Sequence, residues 1–336
     1  MPREYLGHLP THDPLFHFLR EDILPMLGCR PERPEFRVFN MRSTKDVYLY
    51  EEKQSGTMIV GKFFAGKHMG DGSHCRRHMQ KELENLVLLR NHGLAGRPHQ
   101  VVRPLGVNAA INAVLLEEYV AGVTLGEVIN GALYHGGRDR LFQKLTALAW
   151  FLATLHNRTA SCREANFEQD CVYLERLLEQ LAARETIHRG DVQEFHWLRD
   201  RWRELPIMWQ DRQVLVHGDA TPSNFLFDQG PNVTAIDLER MKYADRVFDV
   251  GRIAGELQYS FIVASGDKFD AEPFIGHFLW EYCCHFPDRE RTFRAVTGRV
   301  PFHMALTLLR IARNNWVAAG NRRRLVDEAR ITLRVP

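Results

Sequence analysis

The segment VLVHGDATPSNFLFDQGPNVTAID, residues 214–237, sets His217, Asp219, Asn224 and Asp237 beside two runs of strand-forming residues. The runs NFLF and VTAI flank the turn DQGPN, so they should pair as an antiparallel hairpin. If residue i pairs with residue 461 minus i, Phe227 faces Thr234, Phe225 faces Ile236 and Asn224 stands opposite Asp237. Cross-strand Cβ atoms lie about 5 Å apart, close enough for an amide oxygen and a carboxylate to share one hard cation. Such a sparse oxygen pair suits Mg²⁺, which keeps waters and takes further ligands from phosphates. Asp219 lies five residues before Asn224, in the loop entering the hairpin. There its carboxylate can receive a hydroxyl proton without binding the metal. A base beside a metal-neutralised phosphate describes phosphoryl transfer. A merely polar hairpin with an Asx turn would not require all three side chains.

HGDATPSNFLF followed by AIDLE resembles the catalytic and metal motifs of the aminoglycoside phosphotransferase and choline kinase families, small-molecule relatives of the protein kinases. The likeness runs from the strand carrying Lys62 to the helices after Asp249. It implies that Asp219 is the catalytic base, that Asn224 and Asp237 hold Mg²⁺, and that His217 shapes the loop. Within MIVGKFF, alternation puts Val60 and Lys62 on one strand face. The resemblance then assigns Val60 to adenine and Lys62 to the phosphates, with ATP as nucleotide and GTP as the alternative. Glu82 is the expected carboxylate partner of Lys62, and Glu84 is the alternative. LLEEYVAGVTL is similar to the kinase interlobe hinge, where backbone at Glu118 and Val120 would meet adenine. In DRVFDVGRIAG, Asp249 would brace the catalytic loop, a helix N-cap being its plainer reading. The turn NMRSTKD lacks glycine, so backbone with Ser43 or Thr44 would cover the phosphates.

Two other nucleotide readings fail on detail. GKFFAGKH fits G-x-x-x-x-G-K, yet His68 replaces the required hydroxyl and Phe63 and Phe64 fill the cradle. DLE stands where protein kinases carry D-F-G, and no A-P-E follows, which excludes a protein kinase. His74 and His78, four residues apart beside Cys75, have no second ligand pair nearby.

The elements that must position these residues divide by period. Asp13 as N-cap and Pro14 at the first helical position start a short helix that should stop at Pro25. EFRVFN, DVYLYEEK and TMIVGKFF read as a three-stranded meander, a helix follows from Lys81 to His92, and HQVVRPLGV and NAVLLEEYV add two strands. Beyond residue 122 the pattern turns helical: Leu141, Leu145, Leu148, Leu152 and Leu155 form one buried stripe. Leu174, Leu177, Leu178 and Leu181 form another, and Phe195, Leu198, Trp202 and Leu205 a third. The expected class is α+β, a bilobal protein-kinase-like fold. Residues 1–117 should form a nucleotide-binding lobe, an antiparallel five-stranded sheet plus helix. Residues 118–336 should form a larger, mostly helical catalytic and substrate lobe, with a helical insertion about 157–212.

The chain of 336 residues is long enough for such a core, and 45% hydrophobic with 26% charged residues is ordinary for a globular protein. A net charge of +2 gives no nucleic-acid or membrane footprint. The six cysteines show no paired spacing, and the start has no signal-peptide pattern, so a cytoplasmic address is expected. The oligomeric state stays open. The expected function is an ATP- and Mg²⁺-dependent phosphotransferase acting on a hydroxyl of a small molecule. Residues 287–336 carry 11 arginines against four acids, whereas 157–212 carry nine basic against 11 acidic residues. That balance disfavours a polycation and favours a neutral or anionic metabolite such as a sugar or hydroxy amino acid. An aminoglycoside or choline-type acceptor is the alternative, the latter through a cage of Trp197, Trp202 and Trp209, although Trp202 belongs to a core stripe. A catalytically inactive nucleotide-binding regulatory module is the second alternative; retention of Lys62, Asp219, Asn224 and Asp237 together argues against it.

Overall fold

A computed structural model describes residues 4–41, 46–65 and 72–335. The chain divides into two compact units: Met1–Gly96 with Gln100–Ala121 and Ile236–Glu239, and Arg97–His99 with Gly122–Ala235 and Arg240–Pro336.

The first unit is built on a six-stranded antiparallel sheet. Its spatial order is Glu4–His8, Phe36–Asn40, Asp46–Glu52, Met58–Phe63, Val114–Glu118 and Pro104–Asn108. The five expected strands are present, with a sixth at the edge. Residues Glu4–His8 are almost wholly exposed, so no apolar alternation announces that strand. HQVVRPLGV is not one strand; it splits into His99–Val101 and Pro104–Asn108, since Pro104 carries no amide hydrogen with which to continue a ladder.

One sheet face is closed by the N-terminal helical segment, where Leu15, Phe16, Leu19, Ile23 and Leu24 pack on Phe36, Tyr50, Ile59, Val114 and Leu116. Asp13 caps that segment by accepting from the Leu15 amide at 2.8 Å. It runs past Pro25 to Met26, because a proline in the first turn of its last section sacrifices no helical bond. The helix expected from Lys81 begins nine residues earlier and spans Gly72–Asn91. Its buried row is Cys75, Met79, Glu82, Leu86 and Leu89, and the carboxylate within that row breaks the apolar periodicity.

The second unit is mainly helical. Arg138–Arg158, Glu168–Ala182 and Arg189–Arg203 carry the three expected stripes inward, except that Leu205 lies beyond its helix and is half-buried. Trp202 is buried, its Nε1 donating to the Leu333 carbonyl at 2.9 Å. Fully burying each such side chain stabilises the unit by about 1.5–3 kcal/mol. Val247–Ser265 and Val300–Ala312 cross closely because Gly251 and Gly255 leave room: a Cβ on Gly251 would come within 2.4 Å of His303, and one on Gly255 within 2.7 Å of Thr307. Gln213–Val216 pairs with Lys242–Asp245, and Phe225–Phe227 pairs with Val233–Ala235. No helix among the described residues is long and apolar enough to cross a membrane.

The hairpin register differs from the expected one. Phe225 faces Ala235, Leu226 faces Thr234 and Phe227 faces Val233, a shift of one residue. The loop is the five-residue DQGPN, closed with Gly230 at φ +68, rather than a six-residue loop.

Candidate active site

In the first unit the site is built on the strand Met58–Phe63. Ile59 packs into the core on one face, which turns Val60 and Lys62 to the other. Val60 is half-buried and faces Glu117 across the ladder, so Glu117 shares that face. The Lys62 amine donates to Glu82, and to Asp237 Oδ1 at 3.0 Å. Burial would depress the Lys62 pKa, but the carboxylates of Glu117, Glu82 and Asp237 outweigh it and raise the amine above its ordinary value. Glu84, by contrast, is exposed and accepts from Gln80 at 3.0 Å. Asn85 Nδ2 donates to the Leu238 carbonyl at 2.7 Å, tying Ile236–Glu239 to the helix, and Asp237 itself adopts φ +63.

Glu82, Asp237 and Glu239 each offer a carboxylate oxygen within 4.8 Å of the others. Buried Glu117 joins Glu82 and Asp237 in acting on the one ammonium, and Glu239 lies beside the latter two. This anionic surplus fits a divalent cation of oxygen-seeking chemistry. His74 and His78 lie with ring centroids 4.2 Å apart, tilted by 53°, and take no part in that group. Gly61–Phe63 belong to the strand Met58–Phe63, and the G-x-x-x-x-G-K string from Gly66 on lies outside the described residues. At the hinge-like run, the Glu118 amide already donates to the Arg103 carbonyl at 2.9 Å, and Val120 is half-buried. Ser43 and Thr44 lie outside the described residues.

In the second unit the loop His217–Asn224 leaves the strand Gln213–Val216, anchored by a small core of Val214, Val216, Ala244 and Phe248. Asp249, on the helix Val247–Ser265, is fully buried beneath it. Its carboxylate accepts from the His217 amide at 2.6 Å, the Gly218 amide at 3.1 Å and His156 Nε2 at 3.4 Å. Burial would raise this carboxyl, but His156 and the loop's donors outweigh it and hold the pKa below the ordinary aspartate value. His156 in turn bonds Tyr282 through Nδ1 at 2.8 Å, and burial keeps its pKa low. Asp249 is therefore a loop brace and not an N-cap. His217 is buried against Phe225, with ring centroids 5.2 Å apart. Gly218 has φ +79, and a Cβ there would fall 2.0 Å from the Arg240 carbonyl oxygen, so the turn accepts only glycine.

The loop presents Asp219 with its side chain 18% exposed, its Oδ1 accepting from Arg252 Nη1 at 2.7 Å. Arg252 also donates to the Gly218 carbonyl at 3.2 Å and the Tyr173 hydroxyl at 3.4 Å. Asn224 is buried; its Nδ2 donates to the Asp219 carbonyl at 2.9 Å and its Oδ1 accepts from Ser223 at 3.2 Å. Arg252, Glu117 and Glu239 are absent from the sequence reading. Only Glu117 carried a signal, as the first of two acids closing an apolar run.

The arginine-rich C-terminus is used internally. Arg299 pairs with Asp245 and Asp211, Arg310 with Glu256, Arg330 with Asp191, and Arg334 with Glu194. Part of the basic surplus of 287–336 is thus paired internally, with Asp191, Glu194 and Asp211 of the acidic segment 157–212 and with Asp245 and Glu256 beyond it. With Trp202 in the core, the three tryptophans form no cage; Trp209 is half-buried and Trp197 exposed.

A search of curated proteins finds no match. Residues 36–286 match the sequence profile described as the phosphotransferase enzyme family. Among solved structures, the chain is similar to the streptomycin–ATP complex of APH(2'')-IIa, at TM-score 0.58 and 12% identity over 96% of each chain. It is similar to choline kinase from Cryptosporidium parvum, at TM-score 0.61 and 14% identity, covering 95% of this chain and 92% of that one. Choline kinase LicA from Streptococcus pneumoniae gives TM-score 0.54 and 16% identity, covering 95% of this chain and 99% of that one. The kinase-like fold is common to all of these.

Proposed function

The chain belongs to the phosphotransferase enzyme family, and on that premise we propose that it is an ATP- and Mg²⁺-dependent kinase transferring the γ-phosphate to a hydroxyl of a neutral or anionic small metabolite. The observation that carries the reading is the state of Asp219: a partly exposed carboxylate on a loop pinned from below by Asp249 and fixed in rotamer by Arg252.

In this reading Lys62, held by Glu82, binds the nucleotide phosphates, and Val60 with backbone at Glu118 and Val120 binds adenine. The Glu118 contribution falls to its carbonyl, its amide being engaged. Asn224 and Asp237 would hold Mg²⁺, with Glu239 beside Asp237. The ion, when bound, neutralises charge on the phosphates. Asp219 accepts a hydrogen bond from the acceptor hydroxyl and so orients its oxygen toward the γ-phosphorus. The acceptor O–P bond forms, the bond from the γ-phosphorus to the bridging oxygen breaks, the hydroxyl proton passes to Asp219, and ADP leaves. Arg252 is a positioning residue, since it acts through Asp219.

The proteins named in the structural comparison include a streptomycin complex and choline kinases, so cationic acceptors belong in the test. The test is ADP formation with Mg²⁺-ATP, with and without a panel of sugars, hydroxy acids, hydroxy amino acids, choline and aminoglycosides. Acceptor-stimulated ADP formation supports the kinase reading. Nucleotide binding with no stimulation by any alcohol, and no phosphorylated product, would instead support the regulatory module. A kcat/KM for an aminoglycoside or choline above every neutral and anionic alcohol would transfer the assignment to a cationic acceptor.

A further inference from the structure

Beside the Asp219 loop, within the second unit, lies a cavity of about 480 Å³ bounded by Gly218 of the loop and by the helix Glu168–Ala182. That volume suits a small metabolite. Its charged walls are one-sided: Arg176, Arg240, Lys242 and Arg252 against Glu168 alone. Glu168 accepts from Arg203 at 2.7 Å. Arg252 is committed to Asp219.

Lys242 is the informative residue. Its amine is half-buried and lies 4.1 Å from the Phe248 ring centroid, and Arg252 stands 5.0 Å from the same ring. No carboxylate among the described residues forms an ion pair with it. Burial lowers its pKa, and Arg252 and Arg176 push the same way. Asp170 opposes them most strongly, and Asp249 less so. Burial pushes the Asp170 carboxyl up to about 7, and Asp249 is engaged by the loop amides and His156. A cationic wall of this kind is stabilised by an incoming anion and repels an incoming cation.

We propose that this cavity is the acceptor site and that the acceptor is an alcohol bearing an oxyanion, carboxylate or phosphate, held by Lys242 and Arg176 with its hydroxyl toward Asp219. The proposal rests on the kinase reading and narrows it to anions.

The test uses the full chain and four small probes sharing a short hydroxylated skeleton or its charge: glycerol, glycerate, glycerol 3-phosphate and choline. Calorimetric titration should show glycerate or glycerol 3-phosphate binding at least about tenfold more tightly than glycerol or choline. Lys242→Ala should weaken the anions about tenfold, and Lys242→Arg should restore most of that loss. The preferred anion of the two identifies the head group as carboxylate or phosphate. Equal or tighter binding of choline or glycerol would overturn the proposal. So would absence of anion binding at millimolar concentration, or an anion affinity indifferent to Lys242→Ala. Failure of the kinase reading shows separately, as absence of Mg²⁺-ATP binding in the same calorimeter, because the acceptor titrations need no nucleotide.

Discussion

Removing the Asp249 carboxylate should damage the second unit's stability and its chemistry together. The side chain is fully buried and accepts two backbone amides and one imidazole. Asp249→Ala strands the His217 and Gly218 N–H groups without an acceptor, at about 1–3 kcal/mol each. His156 also loses its Nε2 partner, so a total near 3–5 kcal/mol is expected, a large part of a typical 5–15 kcal/mol. Asp249→Asn keeps one acceptor oxygen and turns an amide nitrogen toward the remaining donor, so it should cost about 1–3 kcal/mol. All six tryptophans, from Trp150 to Trp316, lie in the second unit, so tryptophan fluorescence in urea reads that unit alone. The expected order of midpoints is wild type above Asn above Ala. Activity should fall in the same order, since the two amides shape the turn that presents Asp219. An Asp249→Ala midpoint within about 0.5 kcal/mol of wild type would refute the brace, because such values belong to surface positions.

Asp237→Ala should abolish Mg²⁺-stimulated turnover and Asn224→Ala should weaken it less, a carboxylate being the stronger ligand for a hard cation. Chelator titrations check this, and equal loss in both variants would remove Asp237 from its leading place. Gly218→Ala should lower stability by more than about 1 kcal/mol and suppress turnover, because of its φ +79 and the 2.0 Å approach to the Arg240 carbonyl. Wild-type turnover in that variant would count against the loop geometry. Buried His303 has its pKa lowered to about 3, so the unfolded chain takes up a proton near pH 6.5 and the folded chain does not. Stability from this group is present above pH 6.5 and lost as pH falls toward 3, at up to about 1.4 kcal/mol per pH unit. Asp170, raised to about 7, acts in the opposite sense: its share is present in acid and lost as pH rises through 7. Between about pH 4.5 and 6.5 the two groups, 3.9 Å apart, therefore oppose each other: urea midpoints should rise less with pH in His303→Gln and rise more in Asp170→Asn than in wild type, and slopes unchanged in both variants would contradict the burial of these groups.

The sequence made local features legible and left tertiary ones hidden. Strand alternation placed Val60 and Lys62 on one face, and leucine spacing located the three helical stripes, because both signals repeat within a single element. The helix Gly72–Asn91 was seen only from Lys81, since its buried row contains Cys75 and Glu82, and Glu82 faces inward to meet an amine, not a core. The hairpin slipped by one residue because the loop could be counted as five or six, and only the ladder decides. The Arg252–Asp219 pair joins residues 33 apart in sequence through packing of one helix on one loop, and nothing in either segment's composition announces it. The same holds for Arg330 and Arg334, whose partners Asp191 and Glu194 lie in the acidic helical insertion.

The account's central claim is that Asp219 receives the acceptor hydroxyl during phosphoryl transfer. The measurement that tests it most directly is acceptor-dependent ADP formation by Asp219→Asn beside wild type, with the affinity for Mg²⁺-ATP determined on the same preparations. The account predicts nucleotide affinity within about twofold of wild type and a kcat lower by about 10²-fold or more. A variant that binds nucleotide normally and retains a kcat within a few-fold of wild type would contradict it.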